Sequence, residues 1–288
     1  MKKYEFIRHN RKEYKVTRLC DVLEVSTTGF YDWLDRPESK RSRENRALTE
    51  KIRHFHQQSR EIYGSPKIQE DLIADGETCS VKRVARLMKA ADIKSKLARA
   101  FVVTTDSKNT LQPAPDRLQR CFSVEEQDKA WVSDTTFVAT REGWLYLAVI
   151  LDLFSRQVIG WAMSTKNNAE LVQAALTMAI WRRGKPKAVI VHSDQGSTYA
   201  SGDYQKQLSN NTLLCSMSRK GECLDNAVAE SFIGTLKNEL VHHEDYHTRA
   251  QAKQSIFEYI EVFYNRQRRH AFLNYLTPVE YEVKYAAN

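Results

Sequence analysis

The 288-residue chain is 42% hydrophobic, long enough for a catalytic domain and something smaller, and has no apolar run that would span a bilayer. Its cysteines (Cys20, Cys79, Cys121, Cys215 and Cys223) are odd in number and scattered, and no apolar leader follows Met1, so a cytoplasmic protein without a disulfide framework is expected. The net charge of +8 is uneven: residues 1–120 carry 26 Lys and Arg against 17 Asp and Glu, and residues 121–288 carry 18 against 19. That asymmetry fits a nucleic-acid grip joined to a near-neutral unit, or simply a solvated basic surface.

Two helix-turn-helix-like units are predicted first. In residues 1–40, Arg18–Leu23 forms a short helix, Glu24-Val25-Ser26 a turn, and Thr27–Trp33 a second helix capped by Ser26. In residues 41–100, Arg43–Ser59 carries Leu48, Ile52 and Phe55 at helical spacing. Ser65 as N-cap with Pro66 opens a helix to about Ala74, and Ser80 caps a third to about Ala91. At about 100° per residue with Val81 at zero, Val84, Ala85, Leu87, Met88 and Ala91 fall from about 240° round to 40°. Lys82, Arg83, Arg86 and Lys89 fall between about 80° and 200°. One face is therefore core, and the other suits DNA phosphates or, on a structural helix, plain solvent.

Residues 101–126 read as a polar linker held extended by Pro113 and Pro115. From 127 to 288 the pattern is α/β: strands over Ala130–Thr140, Trp144–Leu151 and Val158–Met163, a helix over Ala169–Trp181, a strand over Lys187–His192, a helix over Tyr199–Leu208 and a strand over Leu213–Met217. Hairpins followed by alternating helices and strands predict a layered mixed sheet. Asp152 follows an apolar strand but lies in a hairpin turn, where Asp serves the backbone. A helix over Asp225–Leu240 follows, with Asp225 a candidate cap. With Val228 at zero its apolar residues span about 0° to 140°, while Glu230 and Lys237 share a stripe near 200° and 180°. Thr248 and Gln251 form a capping box opening a C-terminal helical extension with Phe257, Ile260, Val262 and Phe263 on its apolar face. Arg266, Arg268 and Arg269 could meet DNA or fold against the core. His242, His243 and His247 lack cysteine partners for a structural zinc.

Three acids stand out. Asp134 interrupts the first strand, Asp194 ends the β-branched run Val189–Ser193, and Glu230 lies early in its helix. Unpaired carboxylates in half-buried strands are costly, and a divalent cation is one reason to keep them. Between Asp194 and Glu230 lie 35 residues. The words His192-Ser193-Asp194-Gln195-Gly196, Asp225-Asn226-Ala227, Glu230-Ser231-Phe232 and Leu236-Lys237 resemble the DDE transposase and retroviral integrase superfamily. In particular they resemble the second-reading-frame (OrfB-type) transposases of two-frame bacterial insertion sequences. Tyr63-Gly64-Ser65-Pro66-Lys67-Ile68 resembles their helix-turn-helix segment. Near the end of the chain, Tyr264-Asn265, Arg268, His270 and Thr277-Pro278 resemble their closing motif.

The resemblance implies a ribonuclease-H-like mixed-sheet core preceded by small all-α helix-turn-helix segments. It implies that Asp134, Asp194 and Glu230 hold two Mg²⁺ ions, with Mn²⁺ able to substitute, for cleavage of DNA strands and joining of 3′-ends. Lys237 would contact the DNA end, and Lys82, Arg83, Arg86 and Lys89 the duplex. The implied partners are double-stranded DNA (terminal repeats and target), an upstream-frame product or fusion, and further copies of the chain on DNA, in a bacterial cytoplasm at the nucleoid, with no membrane. No heptad run is present, so end recognition and dimerisation by this chain alone are open. A DNA-binding regulator of transposition would leave the three acids idle. A purely hydrolytic nuclease would need neither Lys237 nor the N-terminal module.

Overall fold

The computed structural model describes residues 2–96, 114–219 and 223–285. Helices α1 (Lys2–Asn10), α2 (Val16–Val22) and α3 (Thr27–Asp35) close around Ile7, Cys20 and Phe30. Ser26 caps α3 by accepting from Gly29 N, as the turn chemistry predicts. The first of these helices was not anticipated: it buries a single side chain, Ile7, and its Phe6 is exposed, so no apolar stripe marks it.

Helices α4 (Lys40–Gln58), α5 (Ser65–Ala74) and α6 (Val81–Ala90) form the second helical unit around Leu48, Ile52, Ile68, Leu72, Val84, Leu87 and Met88. Gly64, rather than Ser65, occupies the α5 N-cap, and Ser65 is already helical with Pro66 in the first turn. Ser80 caps α6 through Arg83 N. The buried stripe of α6 is centred on Val84, Leu87 and Met88, near 290° on the wheel, so Ala85 and Arg83 both fall at its margins. Ala85 is accordingly exposed, and Arg83 lies half-buried.

The sheet has the order β3-β2-β1-β4-β5, built from β1 (Ala130–Thr140), β2 (Gly143–Asp152), β3 (Val158–Ser164), β4 (Ile190–Ser193) and β5 (Leu214–Met217). β1 pairs antiparallel with β2, and β2 with β3, while β4 runs parallel to both β1 and β5. It is the mixed sheet expected. Helix α7 (Ala169–Arg182) connects β3 to β4 and packs on β3 so closely that a Cβ at Gly160 would lie 2.3 Å from Ala175 O. β4 is shorter than predicted because Ala188 takes a left-handed φ of 59°. Helix α8 (Gly202–Asn210) starts three residues late, at the Ser201 cap.

Residues 97–113, which include the first half of the expected linker, lie outside the described residues. Its remainder is packed down: Leu118 is buried, Arg117 N donates to Ser216 Oγ at 2.9 Å, and Arg117 Nε to Cys215 O. Helix α9 (Ala227–Glu239) follows a short 3₁₀ turn at Cys223–Asn226. Helix α10 (Arg249–Glu258) opens on the predicted capping box and passes into a π-helical stretch, Tyr259–Tyr264. Ala252, Ile256, Tyr259, Ile260, Phe263 and Tyr264 are buried, whereas Phe257 and Val262, expected inside, lie to either side of that stripe and face out. Asn265 pins this segment to the edge strand, bonding both Val158 N and Val158 O at 3.0 Å. Helix α11 (Pro278–Tyr285) completes the described chain.

One apolar cluster runs from α4–α6 through the sheet to α9 and α10. Polar ties reinforce it: Tyr63 Oη donates to Gln267 O and accepts from Arg269 N, and Arg269 pairs with Asp71. Arg268 pairs with Glu239. Of the two alternatives for these arginines, Arg268 and Arg269 fold against the core.

Candidate active site

β1 supplies the first acid. Ser133, one residue before it, is buried, donates to Val149 O and shares a hydrogen bond of 2.9 Å with Tyr199 Oη. Tyr199 is itself fully buried. This pair fixes the backbone under Asp134, whose side chain is half-buried on the opposite pleat and accepts from Thr135 N at 2.7 Å. Asp194 follows the end of β4, the strand beside β1. Gly196 N donates to its Oδ1 at 2.9 Å, and a Cβ on Gly196 would sit the same distance from that oxygen, so the turn needs glycine.

Glu230 stands on the first turn of α9. Two contacts set that helix against β1. Asn226, at its N-cap position, donates from Nδ2 to Ser133 O at 3.0 Å instead of capping the helix. Asp225 is fully buried and does not cap either; it receives Arg219 at 3.0 Å and Arg120 at 2.6 Å. Those two guanidiniums hold its carboxyl well below the usual range. Asn226 and Asp225 are positioning residues that sequence reasoning quoted without giving them this role. Arg219 lies six residues from Asp225, but Ser133 O and Arg120 come from β1 and from the segment before it, which no local pattern links to them.

The three acids sense one another. Burial, then the charge of Asp194 and that of Glu230, pushes Asp134 up to about 8, against the pull of Thr135 N and Lys237. Burial raises Asp194, and burial with the Asp194 charge raises Glu230. Lys237 is lowered by its own burial, with Asp134 opposing, and its Nζ lies 5.1 Å from the Phe137 ring centroid. Lys237 therefore joins the acids, as the helical stripe predicts. Among the described residues, no group of three or more Asp, Glu, His or Cys side chains is placed to close directly on a metal ion. The donor set still fits a hard divalent cation: oxygen ligands only, half-buried, with mutual repulsion that a cation would relieve.

His192, in the same strand end, is not part of this set. It is buried, its Nδ1 meets Ser216 Oγ at 2.9 Å, and burial lowers its pKa. Ser216 Oγ also accepts from Arg117 N, which ties the ring to residues 114–118 as part of the structure. Asp152 serves structure: Oδ1 accepts from Phe154 N at 2.8 Å and Oδ2 from Asp128 N at 3.0 Å. On α6, Lys82, Arg86 and Lys89 are exposed. Arg83 is turned inward, donating from Nε and Nη2 to Asn45 Oδ1 at 3.0 and 2.9 Å, with Glu44 3.6 Å away. The four-cation face is thus three cations and a tether to α4.

Residues 124–223 and 230–285 match integrase core domain families, and residues 42–101 match a helix-turn-helix-like domain family. The chain is 39% identical over 284 residues to the transposase InsF for insertion sequence IS3A of Escherichia coli (strain K12), covering 98% of this chain and 99% of that protein. The chain belongs to the insertion-sequence transposases of this InsF type. This transposase is also 41% identical over 267 residues to a 31 kDa protein of insertion element IS600 from Shigella sonnei, covering 93% of this chain and 98% of that one. Among solved structures, a chain of the simian T-cell lymphotropic virus intasome aligns with a TM-score of 0.46 at 13% identity, over 80% of this chain and 73% of that one. With the family and the β3-β2-β1-β4-β5 mixed sheet together, the catalytic half of the transposase is ribonuclease-H-like. No helix among its described residues is long and apolar enough to cross a membrane.

Proposed function

We propose that this transposase cleaves DNA at the ends of its element and transfers the 3′-ends to target DNA, using Asp134, Asp194 and Glu230 as metal-holding carboxylates. The observation that carries the reading is the convergence of these acids, from two adjacent strands and one helix, with each raised by burial and Asp134 and Glu230 also by their neighbours' charge. Two divalent ions, Mg²⁺ or in its place Mn²⁺, would there activate the attacking water or 3′-hydroxyl and stabilise the leaving oxygen. The protein's part is positioning. Gly196 N orients Asp194, Asn226 ties the Glu230 helix to the backbone of β1, and the Ser133–Tyr199 pair holds β1 from below.

Lys237, half-buried between Asp134 and Phe137, would hold a phosphate of the terminal nucleotides. Lys82, Arg86 and Lys89 on α6 would lie along the duplex backbone, positioning it without reading its sequence. Arg83 serves this only indirectly, by fixing α6 to α4 through Asn45. Cleaving two ends and joining them at one target calls for more than one copy on DNA, together with an upstream-frame product or fusion that adds end recognition. The bacterial cytoplasm, at the nucleoid, is where these partners meet.

The test is joining of a labelled duplex carrying the terminal repeat that flanks the gene, with Mg²⁺, by the chain and its Asp194→Asn variant. Joined product from the parent and none from the variant is expected. DNA binding without cleavage in every metal, even with the upstream frame fused, would instead favour a regulator.

A further inference from the structure

Beyond Val132 the β1–β2 hairpin leaves the shelter of the sheet. β4 pairs with β1 only over Ala130–Val132, whereas β1 and β2 remain paired as far as Thr140 and Gly143. One face of this two-stranded ribbon is closed, with Val138, Leu145 and Leu147 buried in the cluster that holds α9 and α10. The other face is open. Phe137 is 44% exposed and Trp144 51%, and their rings meet edge to face with centroids 4.8 Å apart. Two cations flank the pair: Lys237 Nζ lies over the Phe137 ring, and Arg249 Nε donates to Trp144 O at 3.1 Å. The neighbouring acids are engaged, Glu142 accepting from Arg249 N and Asp245 paired with Arg141.

Large rings left in water at the tip of a rigid ribbon lose the stabilisation that burial would bring. The position of these rings suggests what they gain. Phe137 stands on the opposite pleat of β1 from Asp134, and Lys237 links the two where β1 has left β4: its charge acts on Asp134 and its Nζ lies 5.1 Å from the Phe137 ring centroid. A strand whose phosphate lies at Asp134 and Lys237 would cross that edge and bring a neighbouring nucleotide to the aromatic pair. A base inside a duplex has both faces covered by its neighbours, whereas an unpaired base offers its faces to an aromatic ring. We propose that Trp144, buttressed by Phe137, is a stacking platform for an unpaired base near the reacting DNA end, with Lys237 and Arg249 holding the adjoining phosphates. This rests on the transposase reading above. It adds a positioning role for the hairpin: the frayed end is held open while its phosphate is seated at the acids.

The experiment compares two duplexes of the same sequence, one fully paired and one with a short unpaired 3′ extension containing 2-aminopurine. Binding and 2-aminopurine fluorescence are measured for the chain, Trp144→Ala and Trp144→Phe, with thermal unfolding as a check that each variant is folded. The parent is expected to quench the probe and to prefer the extended duplex. Trp144→Ala should lose the quenching and about tenfold in affinity for the extended duplex, the scale of stacking one base. Its affinity for the paired duplex should be unchanged, and Trp144→Phe should restore part of both signals. The platform is overturned if Trp144→Ala keeps parental quenching and preference, or weakens both duplexes equally. It is also overturned if the substitution changes the number of copies in the assembly without DNA, which would make this face an interface between copies. Failure of the parent to bind either duplex, even with the upstream frame fused, would sink the transposase reading itself, a result distinct from loss of preference alone.

Discussion

Asp128, Asp152 and Glu282 converge on one guanidinium, that of Arg183, which is nearly buried and lies 3.4 Å from Asp128 and 3.5 Å from Asp152. In the same sheet, Asp134, Asp194 and Glu230 converge on no such cation among the described residues; Lys237 approaches from one side and is itself lowered by burial. Both regions gather three carboxylates, and burial raises Asp152 to about 7 and Asp134 to about 8. What differs is the occupant of the centre. Where the chain supplies the positive charge, the acids are spent on structure; where it does not, they remain available to a cation brought from outside.

The largest expected effect breaks the second region alone. Asp134→Asn, Asp194→Asn or Glu230→Gln should lower joining on the order of 10³-fold or more, while the unfolding temperature stays level or rises as like charges are removed. A joining assay beside a thermal melt checks both halves, and a variant that unfolds would blur the contrast between the regions. Arg183→Met should do the reverse, destabilising the fold by about 3–5 kcal/mol because buried carboxylates lose their partner. Urea unfolding measures it, and any activity change should follow the folded fraction. Lys237→Gln is smaller: the loss of one charged contact to DNA, about tenfold in joining, with stability unaffected.

The smallest effect comes from a region of opposite sign. His270 is half-buried beside Arg268, Lys67 and Arg156, and its desolvation together with those charges holds its pKa down to about 2. Its folded value lies below the unfolded value of about 6.5, so the unfolded state binds the extra proton. The stability it contributes is full above about pH 6.5 and is lost as the pH falls from there toward the folded value, with a slope of up to about 1.4 kcal/mol per pH unit. His270→Gln should flatten that slope in denaturant titrations between pH 6.5 and 5, and an unchanged slope would assign it to other groups.

How much of this was legible in the sequence depends on how far away each partner lies. β1 forms over the predicted Ala130–Thr140, because alternation and the turn at Arg141–Gly143 are local signals. The Thr248–Gln251 capping box and the Ser26 and Ser80 caps are local for the same reason. Arg83 was placed on the outer face because a wheel cannot see Asn45 on another helix. Phe257 and Val262 are apolar by type, but at a period of 3.6 they fall to either side of the stripe through Ala252, Ile256, Tyr259 and Phe263, so phase and not residue type decides their exposure. The acids themselves were legible as words, but the Asn226 bond to Ser133 O and the Arg120–Asp225 pair join residues roughly a hundred positions apart. Only the folded chain brings them together.

The central claim, that the unpartnered acids act by holding a metal, is tested most directly by Asp194→Cys assayed for joining in Mg²⁺ and in Mn²⁺. A thiolate is a poor ligand for Mg²⁺ and a better one for Mn²⁺. The account predicts no joining in Mg²⁺ and partial recovery in Mn²⁺, while Asp152→Cys shows no metal-dependent rescue. Equal loss in both metals, or full activity in Mg²⁺, would contradict it.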